Sequence, residues 1–132
     1  ISKLLNNNGV CVIRTPTIDS YSWEIYKENW VQLDAPRHLF IHSFSSMKLM
    51  TEINGLKISN FNNDSDSFQF WGSEQYLKKI SLYSSVSFLI NPSKSIFNKN
   101  EIKSFEKKAK NLNKNLRGDQ AVYYINKKSY NG

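Results

Sequence analysis

Gly9 is followed by four consecutive apolar residues, Val10, Cys11, Val12 and Ile13, and then by Arg14, Thr15 and Pro16. A glycine launches this run, and a proline, which cannot donate to a β-ladder, ends it. A continuous apolar run, unlike an alternating one, reads as a strand covered on both faces, the pattern of an α/β sheet. In such sheets ligands bind beyond the carboxyl ends of the parallel strands, so Arg14, Thr15 and the loop after them fall where chemistry would occur.

The remaining segments supply the helices and strands such a sheet needs. Residues 1–8 read as the end of a helix, with Leu4 and Leu5 as its last apolar positions. Residues 18–30 carry Tyr21, Trp23, Ile25, Tyr26 and Trp30 behind a cap at Asp19 or Ser20, giving short helices with an aromatic face. Ser43 caps the next helix, whose apolar stripe is Met47, Met50 and Ile53 with Phe44 and Leu49 beside them, the methionines acting as core filler. Gly55 closes it in the left-handed conformation. Residues 56–61 alternate as a half-buried strand, which the Asn- and Asp-rich stretch 62–66 breaks. Residues 67–97 show no single period and read as an insertion, either structural cover or a lid over the active-site edge. Asn98 and Glu101 form a capping-box pattern for a helix with Ile102, Phe105, Ala109, Leu112 and Leu116 on one side, lysines on the others, and Gly118 as its stop. Residues 120–125 give the last strand.

At 132 residues the chain is long enough for one domain with a single core. No run of about 18 apolar residues exists, so no membrane span is expected. Ile1 stands where an initiator Met would stand and no charged-then-apolar leader follows, so the chain is read as starting mid-protein, without an export signal. The lone Cys11 excludes an internal disulfide and a multi-cysteine zinc site, and fits a reducing, cytoplasmic setting. Residues 1–93 hold eight basic and eight acidic side chains, whereas residues 94–132 hold ten and three, so the whole excess of +7 is C-terminal. A small basic nucleic-acid-binding module, or a protein-interaction domain without catalysis, is therefore the competing reading. Against nucleic acid, the lysines flank an apolar stripe as on any exposed helix.

The densest chemistry lies in residues 30–39, Trp-Val-Gln-Leu-Asp-Ala-Pro-Arg-His-Leu. His38, beside Arg37 and four residues after Asp34, offers a general base with a carboxylate to orient it. The bland alternative is a structural histidine and a turn-shaping aspartate. No Gly-x-Ser-x-Gly elbow occurs, and His38 and His42 lack an acidic third ligand close by, which argues against hydrolase and metal readings.

The motifs Gly9-Val10-x-Val12-Ile13-Arg14-Thr15-Pro16 and Leu33-Asp34-x-Pro36-Arg37-His38-Leu39, in this order and with a helix and strand after them, resemble the C-terminal half of class I S-adenosylmethionine-dependent methyltransferases. Two positions depart from that pattern: Ala35 stands where the family has a first Pro, and Phe44-Ser45 where it often has Pro-Glu. The resemblance implies half of a Rossmann-like α/β fold comprising strands five, six and seven with flanking helices, strand seven being antiparallel and lying between the other two. It makes residues 1–132 one partial methyltransferase domain, with 63–98 as an insertion or lid. It also implies methyl transfer from S-adenosylmethionine to a small-molecule, glycan-like or lipid-like acceptor. His38, Arg37 and Asp34 become the catalytic candidates, and Arg14, Thr15, Trp30 and Trp71 the candidates for acceptor contact. The family's glycine-rich cofactor loop and acidic ribose-binding residue have no counterpart, so the cofactor site is expected mostly outside this chain. The outer edge of the strand at residues 10–13, with no lysine or proline to blunt it, is expected to drive self-association.

Overall fold

The computed structural model describes residues 1–128. In chain order it contains strand β1 (Cys11–Pro16), helix α1 (Tyr21–Tyr26), two single 3-10 turns (Lys27–Asn29 and Val31–Leu33), helix α2 (Phe44–Ile53), strand β2 (Leu56–Asn63), helix α3 (Phe68–Leu77), a 3-10 turn (Pro92–Lys94), helix α4 (Lys99–Lys114) and strand β3 (Gln120–Lys127). The sheet order is β1-β3-β2, with β3 antiparallel to both neighbours. The last strand therefore lies between the first two, which run parallel to each other, so their carboxyl ends share one edge of the sheet with the start of β3.

One face of the sheet packs on α2. Cys11 lies opposite Ile125, and Ile13 opposite Tyr123, in the β1–β3 ladder. These residues join Met47, Leu56 and Ala121 in an apolar cluster edged by Phe44 and Phe61. The Tyr123 ring stacks on Phe44 and tilts against Phe61, at centroid separations of 6.4 and 5.1 Å. The other face of β1 is open: Val12 is 56 % exposed, so the strand alternates and is not covered on both faces as its unbroken apolar run suggests. No described element packs over Val12.

Several local expectations shift for identifiable reasons. Residues 1–5 make one turn closed by amides of Leu4 and Leu5 on the Ile1 carbonyl, and no helix. Ser43 caps α2 through its hydroxyl, which accepts from the Ser46 amide. The buried stripe of α2 runs through Met47 and Thr51, with Phe44 at its edge, so Leu49 and Ile53 project from the opposite side and Met50 sits at the margin. Gly55, at φ 69°, takes the left-handed turn into β2. That strand runs two residues past Phe61, because Asn62 and Asn63 keep their ladder pairing with Val122 and Ala121 after a bulge at Ser59.

Helix α3 buries Gln69, Phe70, Trp71, Gly72, Ser73 and Gln75. Being enclosed nearly all round, it has no amphipathic face, which is why its sequence shows no period. A Cβ at Gly72 would stand 2.8 Å from a Val31 methyl, so the glycine permits close approach of α3 to the 3-10 turn. Helix α4 has its capping box: Asn98 accepts from the Asn100 and Glu101 amides, and the Glu101 carboxylate accepts from the Asn98 amide. It ends at Lys114, and Leu116, at φ 54°, takes the left-handed position expected of Gly118. Gly118 is required for space instead, since an added Cβ would run into Asn113, Ser65 and Asn63. Phe105 and Leu112 of α4 pack with Tyr26, Trp30, Phe70 and Ala109 in a second cluster.

Candidate functional site

The shared edge of the sheet is polar. β1 delivers Arg14 there, the turn after β2 delivers Asp64, Ser65 and Asp66, and Asp119 leads into β3, which Gln120 opens. Arg14 Nε donates to both carboxylate oxygens of Asp64, at 2.8 and 3.0 Å, as an ion pair about half exposed. A cleft of about 120 Å³ is lined by Arg14, Gln32, Ser65, Asp66, Phe68, Asp119 and Gln120. Thr15, next to Arg14 in a strand, points to the other sheet face and pairs across the ladder with Ala121, so it does not line this cleft.

The first half of the 30–39 stretch is nailed to this edge. Trp30 is fully buried and its indole N–H donates to Asp119 Oδ2 at 3.0 Å. The Val31 amide donates to Ser73 Oγ at 3.0 Å, and Gln32 Nε2 to Gln120 Oε1 at 3.0 Å. Trp30 has no exposed surface and stands behind the cleft, not among the residues that line it. The second half turns outward. Asp34 takes the left-handed conformation at φ 37°, and its carboxylate forms an ion pair with Arg37, Nε lying 3.1 Å from Oδ2. The carboxylate expected to orient His38 is thus occupied by Arg37. His38 is half-buried and has no hydrogen-bond partner among the described residues. Leu39 and Phe40 beyond it project into solvent. His42 is held separately, its Nδ1 within 3.1 Å of Ser46 Oγ, and among the described residues no three His, Cys, Asp or Glu side chains converge as a metal site. Trp71 packs between Phe68 and Phe88, at centroid separations of 4.7 and 5.3 Å, and stands behind the cleft wall that Phe68 forms.

The residue that sequence reading misses is Asp119. Its carboxyl is 1 % exposed, and burial pushes its pKa up to about 6, while the Trp30 indole and the Ser65 hydroxyl pull the other way. A carboxyl group that titrates near neutrality at the wall of a polar cleft can bind a hydrogen-bonding group and take up a proton. The available signal was the tryptophan: a buried indole N–H needs an acceptor, and Asp119 is the acidic residue directly before the last strand. Scans of protein-family models, curated proteins and solved structures each return no match for this chain.

Proposed function

We propose that this chain forms the acceptor-side part of an S-adenosylmethionine-dependent methyltransferase. The observation that carries the reading is the sheet order: a final antiparallel strand inserted between two parallel ones, with the Arg-Thr-Pro strand end and the anchored Trp30–Asp34 turn at their common edge. In this reading the half Rossmann-like α/β fold offers an edge at which a small-molecule, glycan-like or lipid-like acceptor would sit. Arg14 would meet polar groups of the acceptor, His38 would take its proton, and the Asp34–Arg37 pair would shape the loop that carries His38.

The residues present do not fit the cofactor. The turns after β1 and β2 read Thr17-Ile18-Asp19 and Asp64-Ser65-Asp66-Ser67, with no glycine to let the backbone approach a nucleoside. The cleft of about 120 Å³ falls below the roughly 300–1,000 Å³ of small-molecule pockets. Titration calorimetry of S-adenosylmethionine into this chain should give a dissociation constant no tighter than about millimolar. Micromolar one-to-one binding would overturn the assignment to the acceptor side. In the intact parent, His38→Ala should lower turnover about 10²-fold to 10⁴-fold. A folded variant within about threefold of the parent would reduce His38 to a structural role.

Self-association belongs to the same reading. Among the described residues β1 pairs with β3 on one side alone, and Val10 just before it and Val12 within it are more than half exposed. A second copy adding to that edge would satisfy its free amides and carbonyls. Light scattering at about 100 μM with a monomeric mass, together with fast amide exchange at Val10 and Val12, would remove it.

A further inference from the structure

Residues 81–98 combine two properties that rarely coincide in a solvent-facing loop. The segment is pinned at its middle: Ser87 is fully buried, Gln75 Nε2 donates to its hydroxyl at 3.0 Å, and the Phe88 amide donates to Gln75 Oε1 at 2.7 Å. Phe88, tilted against Trp71, and Phe97, edge-on to Phe105, then lock it onto α3 and α4. Yet Tyr83, Leu89 and Ile90 are half or more exposed, and Val86 and Ile96 are 41 % exposed. Five exposed large apolar side chains within one segment held on a fixed support point to a surface that meets an apolar phase.

The charge around it says which phase. Residues 78–110 hold eight lysines against Glu101 and Glu106, a net +6. Lys99 and Lys103, one turn apart on α4, line with Phe88, Pro92, Phe97 and Ile102 a groove of about 750 Å³, in which Glu106 is the one acidic group. The Glu101 carboxylate is spent on the helix cap. A second copy of the chain would bring two such cationic faces together, and a nucleic acid would leave the aliphatic side chains without a partner. Exposed aliphatic and aromatic side chains in a segment that leads into a groove carrying Lys99 and Lys103 match the boundary of an anionic bilayer, where the apolar groups enter the acyl region and the ammonium groups meet headgroups.

We propose that residues 81–98 and the adjoining face of α4 form a peripheral docking surface for an anionic lipid bilayer. It does not depend on the methyl-transfer reading, and no helix among the described residues is long and apolar enough to cross the membrane. The test is co-sedimentation of the chain with vesicles of phosphatidylcholine alone and of phosphatidylcholine with roughly 30 % phosphatidylglycerol, at about 0.15 M salt. The chain should pellet with the anionic vesicles and bind the neutral ones about tenfold or more weakly. Leu89→Asp with Ile90→Asp, and separately Lys99→Glu with Lys103→Glu, should each weaken binding about tenfold or more while leaving the thermal melting curve in place. Absence of binding to anionic vesicles overturns the proposal. So does undiminished binding of the Leu89/Ile90 variant, which would reduce the effect to charge alone. A concentration-dependent dimer that both variants dissolve would assign the face to a second copy and overturn it as well.

Discussion

Between α2 and the sheet, Met47 meets Leu56, Ala121, Tyr123 and Ile125, and apart from Asn63 and Thr51 the buried side chains there are apolar or aromatic. At the strand ends, where α1, α3 and α4 meet the 3-10 turns, Ser22, Gln69, Ser73, Gln75, Ser87 and Asp119 are buried as completely as Phe70 and Trp30. In that region Ser22 donates to Gln69, Trp30 to Asp119, the Val31 amide to Ser73, and Gln75 to Ser87. The first region is held by area removed from water, which is tolerant of shape. The second is held by directional partners, each of which leaves a desolvated group behind when its mate is removed.

The contrast can be broken most forcefully at Trp30. Trp30→Ala should lower unfolding stability by about 3–5 kcal/mol, because it opens a cavity and strips Asp119 of its indole donor. Chemical denaturation would measure this, and a loss under about 1 kcal/mol would mean that the polar region is not a cooperative part of the fold.

Asp119 sharpens the contrast through pH. Its folded pKa, about 6, lies above the ordinary 3.8, so its proton is bound more tightly in the folded chain. The stability it contributes is fully present below pH about 4 and is lost as pH rises through about 6, by roughly 3 kcal/mol. Asp119→Asn keeps an acceptor for Trp30 and cannot titrate. The stability of the parent relative to this variant should therefore fall by about that amount between pH 4 and 8. Parallel stability curves across this range would show an unshifted carboxyl.

Gly118 tests how tightly the two regions are joined. Gly118→Ala would drive a methyl group into Asn113, Ser65 and Asn63, and should cost about 1–3 kcal/mol in thermal or denaturant unfolding. The smallest effect is expected in the apolar half, where Met47→Leu conserves volume and should change stability by less than about 1.5 kcal/mol. If Met47→Leu proved more damaging than Trp30→Ala, the assignment of tolerance and intolerance to the two regions would be reversed.

Local rules carried far in this chain because they act over a few residues. Ser43 as a cap, the Asn98–Glu101 box and Gly55 at positive φ are each written within one turn. The same rules failed where burial came from elsewhere. The Val10–Ile13 run could not reveal that only one face would be covered, because covering depends on distant elements. Asn62 and Asn63 are poor strand formers, yet the ladder with β3 holds them extended.

For the site, the residue types, the end of the first strand and the polar, aromatic-rich loop of residues 30–39 are legible in the sequence, because each is local text. Which side chains meet at the strand ends was set by packing across the whole chain. It gave the Asp34 carboxylate to Arg37 instead of His38, turned Trp30 inward onto a carboxylate 89 residues away, and pointed Thr15 away from the cleft. The physical reason is that a hydrogen bond is satisfied by whichever partner is nearest in space, and nearness between residues 30 and 119 is set by the packing of the whole chain.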